Sequence, residues 1–106
     1  MTSDDAVDKI LAERRTQHGA FAVHAAVTQK LKATLHDVHI VAPASDVPMR
    51  SYDRLTPVQR EALEMIVHKI GRILAGDPNH RDHWDDIAGY ARLAAKEIDH
   101  EKANEG

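Results

Sequence analysis

The stretch that decides the fold is residues 56–78, TPVQREALEMIVHKIGRILAGDP. Thr56 and Gln59 have the spacing of a capping box, in which each side chain satisfies a free backbone amide at the start of a helix. Apolar residues then recur at intervals of three and four, as they do on the buried face of a helix. Gly76 stands where a left-handed C-terminal residue is common, and Pro78 prevents continuation. The sequence therefore predicts one well-bounded helix here.

Amphipathic periodicity predicts three further helices around this stretch. They cover about residues 3–18, 20–38 and 77–100. On the last of them, we expect one face made mostly of small residues, which permit the close approach of another helix. Its members are Trp84, Ile87, Ala88, Ala91, Ala94, Ala95 and Ile98. The polar tail, 101–106, is expected to fray.

Residues 39–56 break the helical pattern, because they contain two prolines and the polar run Ala44-Ser45-Asp46. A loop of this length is uncommon in a compact domain unless it has a function, so it is interpreted as a lid, a ligand loop or an oligomer arm. Within it, a short strand is expected only at 39–42. The sequence thus predicts one all-α domain, 1–106, which is a bundle of about four helices with one long loop.

Composition and charge narrow the class of protein. A chain of 106 residues has room for a single domain. Its net charge of −3 argues against a nucleic-acid-binding protein, whose phosphate contacts need a basic surplus. The lack of cysteine excludes disulfides and thiolate sites, and no apolar run is long enough to span a membrane. We therefore expect a protein of the cytoplasm that contacts neither nucleic acid nor membrane.

Large apolar side chains are scarce. The chain has one Phe, one Trp and two Tyr, so its core must be thin. Small domains of this kind often gain the missing burial by self-association. We therefore expect a homo-oligomer, formed chiefly by the last two helices. The eight histidines are either solvated surface, metal ligands or a source of pH sensitivity.

Most of the charged side chains that are candidates for a functional site lie on the last two predicted helices. Acids placed at helical spacing are able to hold Mg²⁺ or Mn²⁺ through oxygen ligands, and that candidate metal set is Glu61, Glu64, Asp82 and Asp85. Alternatively, basic side chains clamp an anionic phosphate, with an acid that orients them and aromatic rings that receive a base. That candidate ligand set is His68, Lys69, Arg72, Arg81, Trp84, Asp86 and Tyr90. A third interpretation is that these charges are solvated helix ends favoured by the helix dipole.

Three stretches of the chain resemble a family of short proteins from phages and prophages. They are residues 13–21 (ERRTQHGAF), 55–78 and 82–91 (DHWDDIAGYA). The resemblance covers most of the chain except the loop, and it implies a viral or prophage origin, with a bacterial host cytoplasm as the location. It supplies no particular activity.

At a greater remove, the last two helices resemble the MazG-type all-α nucleotide pyrophosphohydrolases. Those enzymes hold Mg²⁺ with acidic clusters on two helices and form tight helical dimers or tetramers. Glu61-x-x-Glu64 and Asp82-x-x-Asp85 have a comparable layout. In one register, however, His68, Lys69 and Arg72 replace the family's glutamates. In another, anchored on residues 76–78, Glu64 and His68 remain as possible ligands. Cations in place of carboxylates repel Mg²⁺ and favour an anion.

Three functions follow from these observations. The leading hypothesis is a phage-type protein that binds a nucleotide or a nucleotide-derived signal, and sequesters it rather than hydrolysing it, with no cofactor. Such a protein would remove a signal that the host uses for defence. The alternative is a divergent pyrophosphohydrolase that depends on Mg²⁺ or Mn²⁺, with metal-activated water as the nucleophile. The third is a structural or protein-binding role.

Overall fold

The computed structural model of the chain describes residues 3–18, 20–41 and 47–105. These ranges contain four α-helices, one antiparallel pair of short strands and a 3-10 turn at Ser51–Arg54. The helices are α1 (Ser3–His18), α2 (Phe21–His36), α3 (Pro57–Ala75) and α4 (Arg81–Glu105), and the strands are β1 (His39–Val41) and β2 (Pro48–Arg50). The predicted helical class with four helices is confirmed.

The segment for which a long loop is predicted holds regular structure at both of its ends. Strands β1 and β2 pair with Ile40 opposite Met49, and the strand expected at 39–42 occupies 39–41. The amide of Ser51 donates to the carbonyl oxygen of Val38 at 2.8 Å, which closes the base of the hairpin. The predicted loop residues 42–46 lie outside the described residues.

Helix α3 is the centre of the fold, since it packs against α2 on one side and α4 on the other. It begins as predicted: the Thr56 hydroxyl accepts from the Gln59 amide, and the Gln59 side chain accepts from the Thr56 amide. It also ends at the predicted place, but the expected left-handed residue is wrong. Gly76 has φ −125°, and its amide closes the last turn by donating to the Arg72 carbonyl oxygen.

The α2–α3 contact is close because α3 carries a glycine where the two helices meet. Gly71 is buried, and a Cβ built on it would lie 2.1 Å from the Thr28 hydroxyl oxygen and 3.2 Å from the His24 ring. Both of those α2 side chains are themselves buried. Any side chain at position 71 would therefore push the helices apart.

Helix α4 buries only part of the predicted small-residue face, and it is longer than predicted. Ile87 and Ala94 of that face are partly buried, whereas its other five members are exposed. The face that packs on α3 is instead shifted by one residue, because it includes the buried His83 and the partly buried Tyr90. The helix also continues to Glu105 through most of the predicted frayed tail, and Gly106 lies outside the described residues.

Candidate ligand-binding site between α3 and α4

An ion pair joins the two helices at the centre of the candidate ligand set. Lys69 Nζ lies 2.8 Å from Asp86 Oδ2. The Lys69 side chain is only 10% exposed, whereas that of Asp86 is 47% exposed. The short turn at 76–80 makes α3 and α4 adjacent, and this brings the two residues together. Lysine is rarely buried to this degree unless it is paired.

The surroundings of Asp86 are strongly basic. The hydrogen bond from Lys69, together with the charges of Lys69, His83 and Arg72, holds the pKa of the Asp86 carboxyl below its ordinary value. Arg72 is partly buried, one helical turn beyond Lys69 on α3. The structure therefore groups Lys69, Arg72 and Asp86 in one seam, as the anion-clamp interpretation requires.

A shallow groove runs along α4 from this seam. Its volume is about 390 Å³, and it is lined by Asp85, Asp86, Gly89, Tyr90 and Leu93. Gly89 has no atom within 4 Å of the position that a Cβ would take. The helix thus presents bare backbone at the middle of the groove, between an acidic end at Asp85 and an apolar end at Leu93.

Two other members of the candidate ligand set lie apart from this seam, at the start of α4. Arg81 is largely exposed and pairs within the helix with Asp85, its Nε lying 3.3 Å from Oδ2. Trp84 is half-exposed, and its indole nitrogen donates to the Pro78 carbonyl oxygen at 2.8 Å. That hydrogen bond fixes the ring over the α3–α4 turn, on a different flank of α4 from the groove.

His68 faces α2 instead of the seam. Its ring lies 4.6 Å from that of His24 in an edge-to-face arrangement, and His24 Nε2 is 3.3 Å from the His68 carbonyl oxygen. Burial, followed by the charges of Arg72, His24 and two lysines, lowers the pKa of His68 to about 4. His68 is therefore neutral at neutral pH and is not a cationic phosphate ligand there.

A second polar cluster, which the sequence did not reveal, lies where the 3-10 turn meets α2 and α3. The Tyr52 hydroxyl donates to Glu64 Oε2 at 2.5 Å, and this hydrogen bond raises the pKa of Tyr52. The Tyr52 ring stacks on His36 with centroids 4.0 Å apart, and the Arg60 guanidinium lies over its face. Helical spacing connects Arg60 with Glu64, but Tyr52 lies outside α3 in the 3-10 turn, and the hairpin separates it from His36, so neither contact leaves a periodic signal.

The four candidate metal ligands do not come together. Glu64 is occupied by Tyr52, Asp85 pairs with Arg81, and Asp82 lies 3.7 Å from His80. Glu61 is exposed. Across residues 3–18, 20–41 and 47–105, no group of three or more His, Asp or Glu side chains is placed to hold a metal ion.

Comparison with known proteins places most of the chain in one family. The family model described as "Domain of unknown function (DUF6378)" matches residues 3–98. No curated protein and no solved structure matches the chain. Within the part of the chain that the structure describes, none of the helices combines the length and apolar character needed to cross a bilayer.

Proposed function

Because this chain belongs to the DUF6378 family, whose description leaves its function open, we propose a function from the geometry of its own site. The protein binds a nucleotide or a nucleotide-derived signal in the groove beside α4 and sequesters it. The observation that carries this proposal is the nearly buried Lys69, held by the half-exposed Asp86 at the edge of the groove. A desolvated cation with an accessible counter-ion is a site at which an incoming anion can replace the carboxylate.

The groove matches the parts of a nucleotide. Lys69 and Arg72 supply positive charge for phosphate oxygens at the α3 side. Asp85 and Asp86 are acceptors for sugar hydroxyls or for the amino groups of a base. Tyr90 and Leu93 provide the apolar surface on which a base packs.

Gly89 supports the same conclusion independently. A glycine inside a helix costs about 1 kcal/mol relative to alanine. Nothing in the described chain requires that cost at position 89, because a Cβ there would meet open space. A ligand that approaches the helix backbone closely is a reason for the missing side chain. The position lies in the middle of the groove, where such a ligand would rest.

Sequestration is favoured over hydrolysis because the acidic side chains that would hold a metal ion are paired with other residues. The pyrophosphohydrolase alternative needs several carboxylates free to share Mg²⁺ or Mn²⁺. Here Glu64, Asp85 and Asp86 each have a partner, in Tyr52, Arg81 and Lys69. We therefore retain the MazG-like enzyme only as the alternative outcome of the test. The proposal includes a phage origin and action in the host cytoplasm, where removing a nucleotide signal would counter defence.

Binding is tested by isothermal titration calorimetry with the eight common ribo- and deoxyribonucleoside triphosphates and with inorganic pyrophosphate. We expect Arg72→Ala and Gly89→Ala each to weaken binding about tenfold or more, a loss of about 1.4 kcal/mol. Gly89→Ala should at the same time raise the melting temperature, which separates a blocked groove from a damaged fold. Asp99→Ala, on the far part of α4, is the control and should bind normally.

Two outcomes would contradict the proposal. One is nucleotide binding that is unchanged in both groove variants. The other is turnover: release of pyrophosphate with Mg²⁺ or Mn²⁺ that is lost in Glu64→Gln or Asp86→Asn, but kept in Asp99→Asn, would establish the enzymatic alternative. The same titrations performed without metal show whether binding depends on it.

A further inference from the structure

The single chain exposes more surface than a folded monomer of its mass. Its accessible surface is 7764 Å², whereas a compact monomer of this size exposes about 5,900 Å². Its radius of gyration is 18.2 Å, against about 13 Å for a compact domain of this length. Among the described residues, Ala62 is the only apolar one that is fully buried. Such a chain has only a small core of its own.

The exposed surface includes an ordered apolar stripe along α4. It consists of Trp84, Ala88, Ala91, Ala95 and Ile98, all of them exposed. Successive members are separated by four, three, four and three residues, which is the spacing of the contact positions in paired helices. The stripe is turned by about 100° from the face that packs on α3, since each residue advances a helix by that angle. It therefore lies outside the α3–α4 contact, and Trp84 reaches its own chain through the hydrogen bond to Pro78.

We propose that the Trp84 stripe is the interface between two copies of this chain, which pair α4 against α4 in antiparallel orientation. This inference does not depend on the proposed ligand, because Gly89 and Leu93 of the groove lie on the opposite flank of α4, and only Asp85 borders both surfaces. The three central alanines allow the two helix axes to approach closely. Trp84, whose indole nitrogen is already bound to Pro78, presents its ring face as an anchor at each end.

The area that each chain exposes in excess matches what such a pair needs. The excess is about 1,900 Å² per chain relative to a compact monomer. Obligate homodimers bury roughly 1,000–2,500 Å² on each partner. A transient contact with an unrelated protein needs much less. This excess is spread over the whole chain, including exposed apolar side chains of α1 and α2, so it supports self-association in general, and the stripe is the part of it that lies on α4.

Charge along the edge of the stripe supports antiparallel pairing with itself. Asp85, Arg92 and Asp99 follow one another at seven-residue intervals on the solvent side, with alternating sign. In an antiparallel pair this edge meets the same edge of the second copy, so Arg92 can face an aspartate. In a parallel pair, the edge with Arg92 would face the other edge of the stripe in the second copy, where Ile87 and Ala94 carry no charge. A twofold axis between Ala88 and Ala91 satisfies both sets of positions, because it places Arg92 opposite Asp85 of the second copy, whereas an axis at Arg92 itself would bring like charges together.

The mass in solution is the first test. Light scattering at micromolar concentration should give twice the 11.8 kDa of the single chain. Ala91→Glu, at the centre of the stripe, should halve that mass or abolish folding, whereas Ala103→Glu, on the same helix but off the stripe, should leave it unchanged. A wild-type mass of one chain, with the helices intact by circular dichroism, would overturn the proposal.

Cysteine cross-linking tests the arrangement without disturbing folding, because the chain contains no cysteine of its own. We expect oxidation to link two copies through the position nearest the twofold axis. Ala88→Cys, Ala91→Cys and Ala95→Cys should therefore differ strongly in yield, and Ala103→Cys should not cross-link. Equal yields at the three stripe positions would overturn the antiparallel arrangement. No cross-link at any of them, in a protein of dimeric mass, would overturn the stripe as the interface.

Discussion

The contact between Gly71 and Thr28 allows a prediction whose sign and size follow from the structure. In Gly71→Ala, the added Cβ would lie 2.1 Å from Thr28 Oγ1, so α2 and α3 must move apart. Overpacking of this kind typically lowers the free energy of unfolding by about 1–3 kcal/mol. The upper end applies because α2 and α3 are both regular helices, whose backbones do not adjust locally. The better helix propensity of alanine returns about 1 kcal/mol. We expect a net loss of about 1–2 kcal/mol, a fall of roughly 5–10 °C in melting temperature.

The same contact predicts how the loss is rescued. Thr28 Oγ1 is buried and has no hydrogen-bond partner among the described residues, so Thr28→Ala removes an unsatisfied group and should be nearly neutral. In the double variant the clash is gone, and the remaining neighbours of the new Cβ stand at 3.2 Å or more. It should therefore be at least as stable as Thr28→Ala alone.

The assay is urea unfolding followed by circular dichroism, at one protein concentration throughout, since the proposed pairing would make stability depend on concentration. Gly89→Ala is the matched control, because its Cβ meets open space and should stabilise α4 by up to about 1 kcal/mol. Additive effects of Gly71→Ala and Thr28→Ala would refute the reasoning, as would a Gly71→Ala protein more stable than wild type.

Three further predictions concern the seam, the cap and the buried histidine. Asp86→Ala leaves the nearly buried Lys69 unpaired and should lower the free energy of unfolding in urea by about 1–2 kcal/mol, less than the about 3–5 kcal/mol typical of fully buried pairs. The control Asp99→Ala should have no measurable effect. Equal small losses in both variants would show that the Lys69–Asp86 pair is solvated. Thr56→Ala removes one half of the capping box and should cost about 1 kcal/mol, seen as a lower urea midpoint. The pKa of His68 is about 4 in the folded protein and 6.5 ordinarily, so the unfolded chain binds the proton first as the pH falls. The free energy of unfolding should therefore decrease as the pH drops from about 6.5 to 4. In His68→Gln, the melting temperature should change less over this pH range.

Local signals account for the parts of the fold that the sequence predicts well. The bounds of α3 follow from Thr56, Gln59 and Gly76, because capping and termination depend on neighbours within a few residues. The Lys69–Asp86 pair can also be predicted from the sequence, since a turn as short as 76–80 makes the next helix pack antiparallel to α3. Contacts across the hairpin are different. The stacking of Tyr52 on His36 depends on strand register and on the path of residues between the strands.

The sequence does not show which apolar face of α4 packs on α3, for a physical reason. Its apolar residues form two adjacent stripes, one through Ile87 and Ala94 and one through the exposed alanines. Periodicity shows that both stripes avoid water, but it does not show whether the partner is the same chain or another copy. Burial separates them: the stripe with His83 and Tyr90 contacts α3, and the Trp84 stripe does not.

The division of α4 into three flanks links the two proposals through their chemistry. The flank on α3 carries its larger side chains, the flank for a second copy carries alanines that permit close approach, and the flank with the groove carries acids and Gly89. Glycine is suited only to the flank with the groove. A pairing surface is stabilised by every methyl group that it buries, whereas a ligand that rests on the helix backbone comes closer when the methyl group is absent. The two proposals therefore assign pairing and ligand binding to different sides of one helix. They predict that a ligand enters the groove while the pair is intact, and that two copies give two equivalent sites that face away from their shared axis.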